Sequence, residues 1–299
     1  MSEPRRILVT GATGTVGRPL VARLLAEGHR VRALVRNPDG GALPHGAEPV
    51  RGDLAVSETL SAGAAGADAV FLVWPFATAQ GADEAVAALA GEVDRIVYLS
   101  SAVADTHPGR PDGAVERLVE AAAPHWTFLR PHGFVANVLR WLPELREAGS
   151  VHGAYGQAAT APVHEADLAD LAALALTGAT GDRDRPVLTG PASLTQTEQL
   201  ATIAAVVGRD LRRHELTRAE ARDRMLAAGW PPDAVDPVLD HQAARVADPE
   251  RPVSTVARLT GRPARTFADW AADHTGVLLA ALGGRAVDET HPLSRTSSI

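Results

Sequence analysis

The 299-residue chain contains no cysteine, no lysine, only two tyrosines, and no apolar run of membrane length. The lack of cysteine excludes disulfides, thiolate nucleophiles and thiolate metal sites. All 29 basic side chains are arginine, so a catalytic lysine is excluded as well. No segment approaches the ~20 consecutive apolar residues of a membrane helix. The opening Met1-Ser2-Glu3-Pro4-Arg5-Arg6 has no signal-peptide apolar stretch. The eleven histidines are scattered with no His-x-x-x-His pair, so no metal site is expected. A formal charge of -7 and a pI near 5.9 argue against nucleic acid or an anionic membrane as partner. What is present, 45% hydrophobic and 22% charged residues, is the composition of an ordinary soluble globular protein; a cytoplasmic protein is expected, as monomer or homodimer.

The first half alternates strand and helix signals. Ile7-Leu8-Val9, Val31–Val35, Val70–Val73, Arg95–Leu99 and Thr127–Leu129 are short apolar runs. Between them lie helix-like stretches at Pro19–Leu25, Ala82–Ala90 and Ala114–Ala123. Strands separated by helices imply parallel pairing with right-handed crossovers, an α/β doubly wound sheet. After Gly149 the rhythm changes to helices at Ala166–Leu176, Thr195–Val207, Arg218–Ala228, Pro232–Arg245 and Thr266–His274, with a brief strand at Val187-Leu188. Prolines 231, 232, 237, 249 and 252 punctuate this half and are expected at helix ends, not inside helices. The expected organisation is a sheet domain over 1–150, a smaller, mainly helical region over 151–285 with some segments returning to the sheet, and a polar tail over 286–299.

The first strand runs into Gly11-Ala12-Thr13-Gly14-Thr15-Val16-Gly17 and then a helix. Gly11 permits a tight turn, Gly14 lets backbone approach a pyrophosphate, and Gly17 lets helix pack on strand. The amides and dipole of the helix start then attract phosphates. A Gly-rich turn can also do no more than reverse a chain, but this one sits between strand and helix, the context of a dinucleotide site. Cofactor choice is read at the end of the second strand, where an NAD site places a carboxylate. Arg36-Asn37 stand there instead. A guanidinium there can pair with the 2′-phosphate of NADPH; the bland alternative is a solvated loop arginine, and NADH stays possible. Gly52-Asp53-Leu54 follows the third strand, where Asp53 is placed either to accept from the adenine amino group or to serve a turn and cap the helix near Ser57. Val73-Trp74-Pro75 and Ser100-Ser101 close the fourth and fifth strands, at the carboxyl edge where ligands bind.

With these come Leu34-Val35-Arg36-Asn37-Pro38, Arg51-Gly52-Asp53-Leu54, Tyr98-Leu99-Ser100-Ser101 and Trp126–Pro131 with Phe134 and Asn137. Ala161-Pro162-Val163 with Asp167 and Leu168, Leu188–Pro191 and Leu259–Pro263 extend the pattern. Together they resemble an extended, atypical short-chain dehydrogenase/reductase of the NmrA-like group over residues 5 to about 275. The resemblance implies a Rossmann domain, a small substrate-binding region, and a small-molecule ligand. It also exposes a departure. Typical members use Tyr-x-x-x-Lys, in which the lysine lets the tyrosine pass a proton. Counted back from Glu116, those positions fall near Pro108 and Asp112, while Tyr98 lies within the fifth strand as core.

Hydride transfer still needs the cofactor held against the substrate, and the proton can come from another donor. Ser100 and Ser101 stand where the resemblance places the family serine, or one caps the following loop. His132, just after the sixth strand, suits proton transfer or is structural. His107 and Tyr155 are further donors. Phe134, Asn137, Trp141 and Trp230 are substrate-binding candidates, the two tryptophans serving equally well as core. Acceptors that need little acid help, such as quinones, imines and extended enones, fit a site without the pair. The leading expectation is an NADPH-dependent oxidoreductase acting on an aromatic, quinonoid or polyketide-like molecule. The resemblance and the alanine- and arginine-rich composition suggest bacterial secondary metabolism. The competing reading is a non-catalytic dinucleotide-sensing regulator.

Overall fold

Alternation along each strand divides the core in two. In the computed structural model, which describes residues 3–38, 43–107 and 110–283, the chain forms two compact units. The first comprises Met1–Asn137, Ala159–Ser193 and Pro249–Phe267. Its strands β1 (Arg6–Val9), β2 (Arg30–Val35), β3 (Glu48–Arg51), β4 (Ala69–Val73), β5 (Arg95–Leu99) and β6 (His125–Pro131) join the short strand Val187–Leu188 in one sheet. The spatial order is β3-β2-β1-β4-β5-β6 and then Val187–Leu188, with every pair parallel. Helices α1 (Gly17–Ala26), α2 (Glu58–Ala64), α3 (Ala82–Ala90) and α4 (Asp112–Ala122) connect successive strands.

Successive side chains of a strand point to opposite faces. Ile7 and Val9 accordingly pack with Phe71, Val97 and Leu129 against Leu20, Val21 and Leu24 of α1 and Leu168, Leu171 and Leu176 of the helix Glu165–Thr177. On the other face Leu8, Val70, Leu72, Ile96, Tyr98 and Phe128 meet Leu60 of α2, Val86 and Leu89 of α3, and Val115 and Val119 of α4. This is the doubly wound Rossmann arrangement. The order of strands reverses between β1 and β4, so a crevice opens at the carboxyl edge beside the end of β1.

The second unit comprises Val138–Ala158, Leu194–Asp248 and Ala268–Ile299. It holds the helices Leu142–Ala148, Gln196–Val207, Arg218–Ala227, Pro232–Ala247 and Thr275–Ala281. A parallel pair of strands, Ser150–Gly153 and Arg212–Glu215, also belongs to it. Thr195 with Glu198 and Thr217 with Glu220 form capping boxes that start two of these helices. Pro237 sits inside Pro232–Ala247, contrary to the expectation that prolines mark helix ends. The ring forgoes one bond to the carbonyl four residues back, while Val235 and Leu239 on either side of it are buried. Among the described residues no helix is long and apolar enough to cross a membrane. The polar tail expected over 286–299 and Pro108 lie outside the described residues.

Candidate active site

β1 delivers the chain into the Gly-rich turn at the crevice. Gly11 adopts φ +61°, and its carbonyl accepts the Gly14 amide at 2.9 Å. A Cβ on Gly17 would stand 2.1 Å from that same carbonyl oxygen, and one on Gly14 3.1 Å from it. A side chain at Gly17 would therefore collide with the backbone of the turn, and one at Gly14 would crowd it. Thr10 fastens it to β4, its hydroxyl donating to the Phe71 carbonyl at 3.1 Å and accepting the Val73 amide at 2.8 Å. Ala12 and Val16 turn their side chains into the core. No side chain caps α1 and no acidic residue stands in its first turn, so nothing opposes an anion at its positive end.

A cavity of about 620 Å³ opens beside this turn, lined by Thr10, Gly11 and Thr13, by Leu34 and Val35 at the end of β2 with Arg36 and Asn37 beyond it, by Gly52-Asp53-Leu54 after β3, and by Pro75 and Phe76 after β4. The cofactor candidates Gly11, Thr13, Arg36, Asn37, Asp53, Leu54 and Pro75 therefore share one wall system. Arg36 is exposed and makes no ion pair among the described residues. Asp53 lines the cavity, and its carboxylate accepts the Ala55 amide at 3.0 Å, a local turn contact. Val73 packs under Gly11. Trp74 is buried; its indole N–H donates to the Thr78 carbonyl at 2.8 Å and its ring meets Phe76 edge-on at 4.9 Å. Phe76, one residue beyond the run singled out in the sequence, is the aromatic side chain that reaches the cavity.

The residues present fit a dinucleotide: a Gly-rich turn that leaves no room for a Cβ on Gly17 and an uncapped helix start behind it, and a cavity beside the turn lined by Arg36, a guanidinium with no ion pair among the described residues.

The candidate proton donors are dispersed. Ser100 is buried and donates to Glu116 of α4 at 2.5 Å. Glu116 also accepts from Arg130 of β6, Nε at 2.8 Å, while Arg130 reaches Asp105 at 2.6 and 3.0 Å. The guanidinium holds the Asp105 carboxyl below its ordinary range. Ser101 accepts the Val103 amide at 3.4 Å. His107 is exposed, its Nδ1 2.9 Å from the Thr106 hydroxyl. Tyr98 is core, edge-on to Phe128 at 6.3 Å. Burial, then the carboxylates of Asp112 and Glu116, push its phenol far up, against a lowering by Arg110. Tyr155 lies in the second unit at φ +59°, hydrogen-bonded to Arg218.

His132 follows β6 directly at the carboxyl edge of the sheet, its amide donating to the Leu188 carbonyl at 3.1 Å. Its Nδ1 is in contact with the Glu250 carboxylate, a residue the sequence did not single out. Phe134, half-buried, packs against the core beside its bridge to Val163, and Asn137 is exposed; both belong to the first unit. Trp141 and Trp230 belong to the second, where Trp230 packs with Tyr155, Met225 and Leu226 beside Val235 and Leu239.

Fold and turn together define a Rossmann-type dinucleotide-binding protein. Residues 11–178 match the model of the NAD(P)H-binding family, and the chain belongs to that family. The (4-alkanoyl-5-oxo-2,5-dihydrofuran-3-yl)methyl phosphate reductase of Streptomyces griseus is 38% identical over 90% of this chain and 97% of its own length. The NAD(P)H azoreductase of Xenophilus azovorans is 32% identical over 92% of this chain and its own full length. Among solved structures, an NADPH-dependent quinone oxidoreductase from Escherichia coli superimposes with a TM-score of 0.73 at 24% identity, covering 89% of this chain and 98% of its own. The triphenylmethane reductase of Citrobacter sp. superimposes with a TM-score of 0.74 at 21% identity, covering 90% and 99%. The protein is an NAD(P)H-binding oxidoreductase.

Proposed function

We propose that the protein reduces an aromatic, quinonoid or polyketide-like small molecule at the expense of NADPH, without a Tyr-x-x-x-Lys pair. The single observation that carries the cofactor reading is Arg36, which lines the same cavity as the Gly-rich turn and has no ion-pair partner among the described residues. In this reading the turn and the start of α1 hold the pyrophosphate, Arg36 pairs with the 2′-phosphate, and Asp53 accepts from the adenine amino group. The bound dinucleotide supplies hydride. The relatives' printed names, a furanone-type phosphate reductase and an azoreductase, support acceptors whose reduced anion is delocalised. A place in bacterial secondary metabolism belongs to the same proposal.

The test offers NADPH with a panel of quinones, azo dyes and conjugated enones. Consumption of NADPH with at least one class is expected; inertness toward all of them would favour a dinucleotide-sensing regulator instead. For the cofactor, Arg36→Ala is expected to weaken NADPH binding about tenfold or more, ~1.4 kcal/mol or above, while NADH affinity stays put. Equal losses for both dinucleotides would overturn the role of Arg36.

A further inference from the structure

Glu250 is a buried carboxylate whose two oxygens face different partners. One oxygen accepts the Ala161 amide at 2.6 Å; the other contacts Nδ1 of His132. Its side chain is 6% exposed and that of His132 is 35% exposed, so the pair has a buried half and an open half. The backbone fixes both ends, His132 by its bond to Leu188 and Glu250 by its amide, which donates to the Ala159 carbonyl at 3.1 Å. The Ala102 amide donates to the Pro131 carbonyl at 3.0 Å, which keeps the chain leaving β5 beside His132. The imidazole thus stands at the carboxyl edge of the sheet, where ligands of such sheets bind.

A carboxylate has no proton to give at neutral pH, so Nδ1 is the donor toward Glu250 and Nε2 is the ring nitrogen that exchanges protons. The Ser100 hydroxyl, at the end of β5, is less suited to that task, since its proton is committed to Glu116. On the reading given under Proposed function, we propose that His132 delivers the proton that completes reduction and that Glu250 is its positioning residue. The hydride supplied by the dinucleotide brings two electrons and one hydrogen nucleus to the acceptor. The second hydrogen nucleus leaves Nε2 of the imidazolium as a proton: that N–H bond breaks and an O–H or N–H bond forms on the acceptor anion. The neutral ring keeps its Nδ1 proton toward Glu250 and regains a proton on Nε2 from water.

Glu250→Gln separates this role from a merely structural one. A glutamine has one acceptor oxygen where the carboxylate served two donors. With that oxygen held by the Ala161 amide, its NH₂ faces His132, and the neutral ring must turn Nδ1 into an acceptor with the proton on Nε2. Long-range ¹H–¹⁵N spectra of the histidine-labelled protein without ligand are expected to show the Nδ1–H tautomer in the wild type and Nε2–H in E250Q. With the acceptor that the wild type reduces fastest, E250Q and His132→Gln are each expected to lower kcat at least tenfold and to leave KM for NADPH within about twofold. The double variant is expected to be no worse than either single one, because the two act as a unit. Unchanged kcat in H132Q would overturn the proton role, and an unaltered tautomer in E250Q would overturn the positioning role. A wild type inert toward every acceptor would sink the reductase reading and the proton role with it, while the tautomer comparison still judges the Glu250–His132 couple by itself.

Discussion

Gly17 shows how little freedom a single position has at this site. A Cβ there would meet the Gly11 carbonyl oxygen at 2.1 Å, and that oxygen is already the acceptor that closes the turn on Gly14. Neither partner is the tip of a flexible side chain, so the backbone itself must shift. Gly17→Ala is therefore expected to cost about 1–3 kcal/mol of stability and to weaken NADPH binding at least tenfold; thermal melts and fluorescence titration check the two effects, and intact binding would contradict the cradle. Tyr98 gives a pH-dependent counterpart. Burial first, and the Asp112 and Glu116 carboxylates next, hold its phenol neutral well above the ordinary value of 10.0. A group raised in the folded state contributes stability that is complete below its unfolded pKa and is lost as pH climbs. Stability is thus expected to be flat in this respect up to about pH 10 and then to fall by at most ~1.4 kcal/mol per pH unit as the unfolded phenol ionises. Urea denaturation between pH 8 and 11 should show a shallower alkaline fall in Tyr98→Phe than in the wild type. Both residues could be read from sequence alone, Gly17 from its place in the turn and Tyr98 from its place in an apolar run. Glu250 could not, because only the return of residues 249–267 to the sheet brings it to His132.

Between elements, one guanidinium does most of the joining on the β5–β6 side. Arg130 of β6 pairs with Glu116 of α4 and with Asp105 in the loop after β5, and Ser100 at the end of β5 donates to the same glutamate. Both members of the central pair are buried, with side chains 8% and 4% exposed. Removing one partner of such a pair leaves a desolvated charge, which costs more than the pair contributes. Glu116→Gln is expected to lower stability by about 3 kcal/mol, the low end for a broken buried pair because Asp105 remains, and Ser100→Ala by about 1 kcal/mol for a single hydrogen bond. Urea titrations with an unchanged m-value test both; a loss in S100A as large as in E116Q would mean that the serine, not the ion pair, organises this corner. The elements themselves were legible in proportion to their burial. β2, β4, β5 and β6 are apolar runs because helices or strands cover both their faces. Glu48–Arg51 has one apolar residue besides its proline, and Arg212–Glu215 has none. Strands held by backbone pairing at an edge leave no hydrophobic period to read.

At the scale of the chain, the two units alternate along the sequence. The first unit takes back residues 159–193 and 249–267 after the second has begun at Val138. Those returning stretches are structural members of the sheet unit. Leu168, Leu171 and Leu176 are each at most 1% exposed, packed beneath β1, β4, β5 and β6. Asp167, fully buried, accepts the Arg265 amide at 2.7 Å and so ties 249–267 to the helix Glu165–Thr177. At about 1.5–3 kcal/mol for each fully buried leucine, three leucines carry roughly 5–9 kcal/mol, which is comparable to the whole stability of a typical domain. A fragment of residues 1–150 would therefore keep the complete Gly-rich turn, α1 and every lining residue of the cavity, yet lose the helix Glu165–Thr177 from the apolar face of Phe71, Val97 and Leu129 on β4, β5 and β6. It is expected to melt without a cooperative transition and to bind NADPH at least a hundredfold more weakly than the full chain. The full chain, in contrast, is expected to gain about 2.7 kcal/mol when NADPH is present at a hundred times its Kd. Calorimetry of both proteins with and without NADPH measures this directly. Full affinity in the fragment would mean that the turn and its cavity need only the strands and helices before residue 150, and that the returning segments serve the substrate side alone.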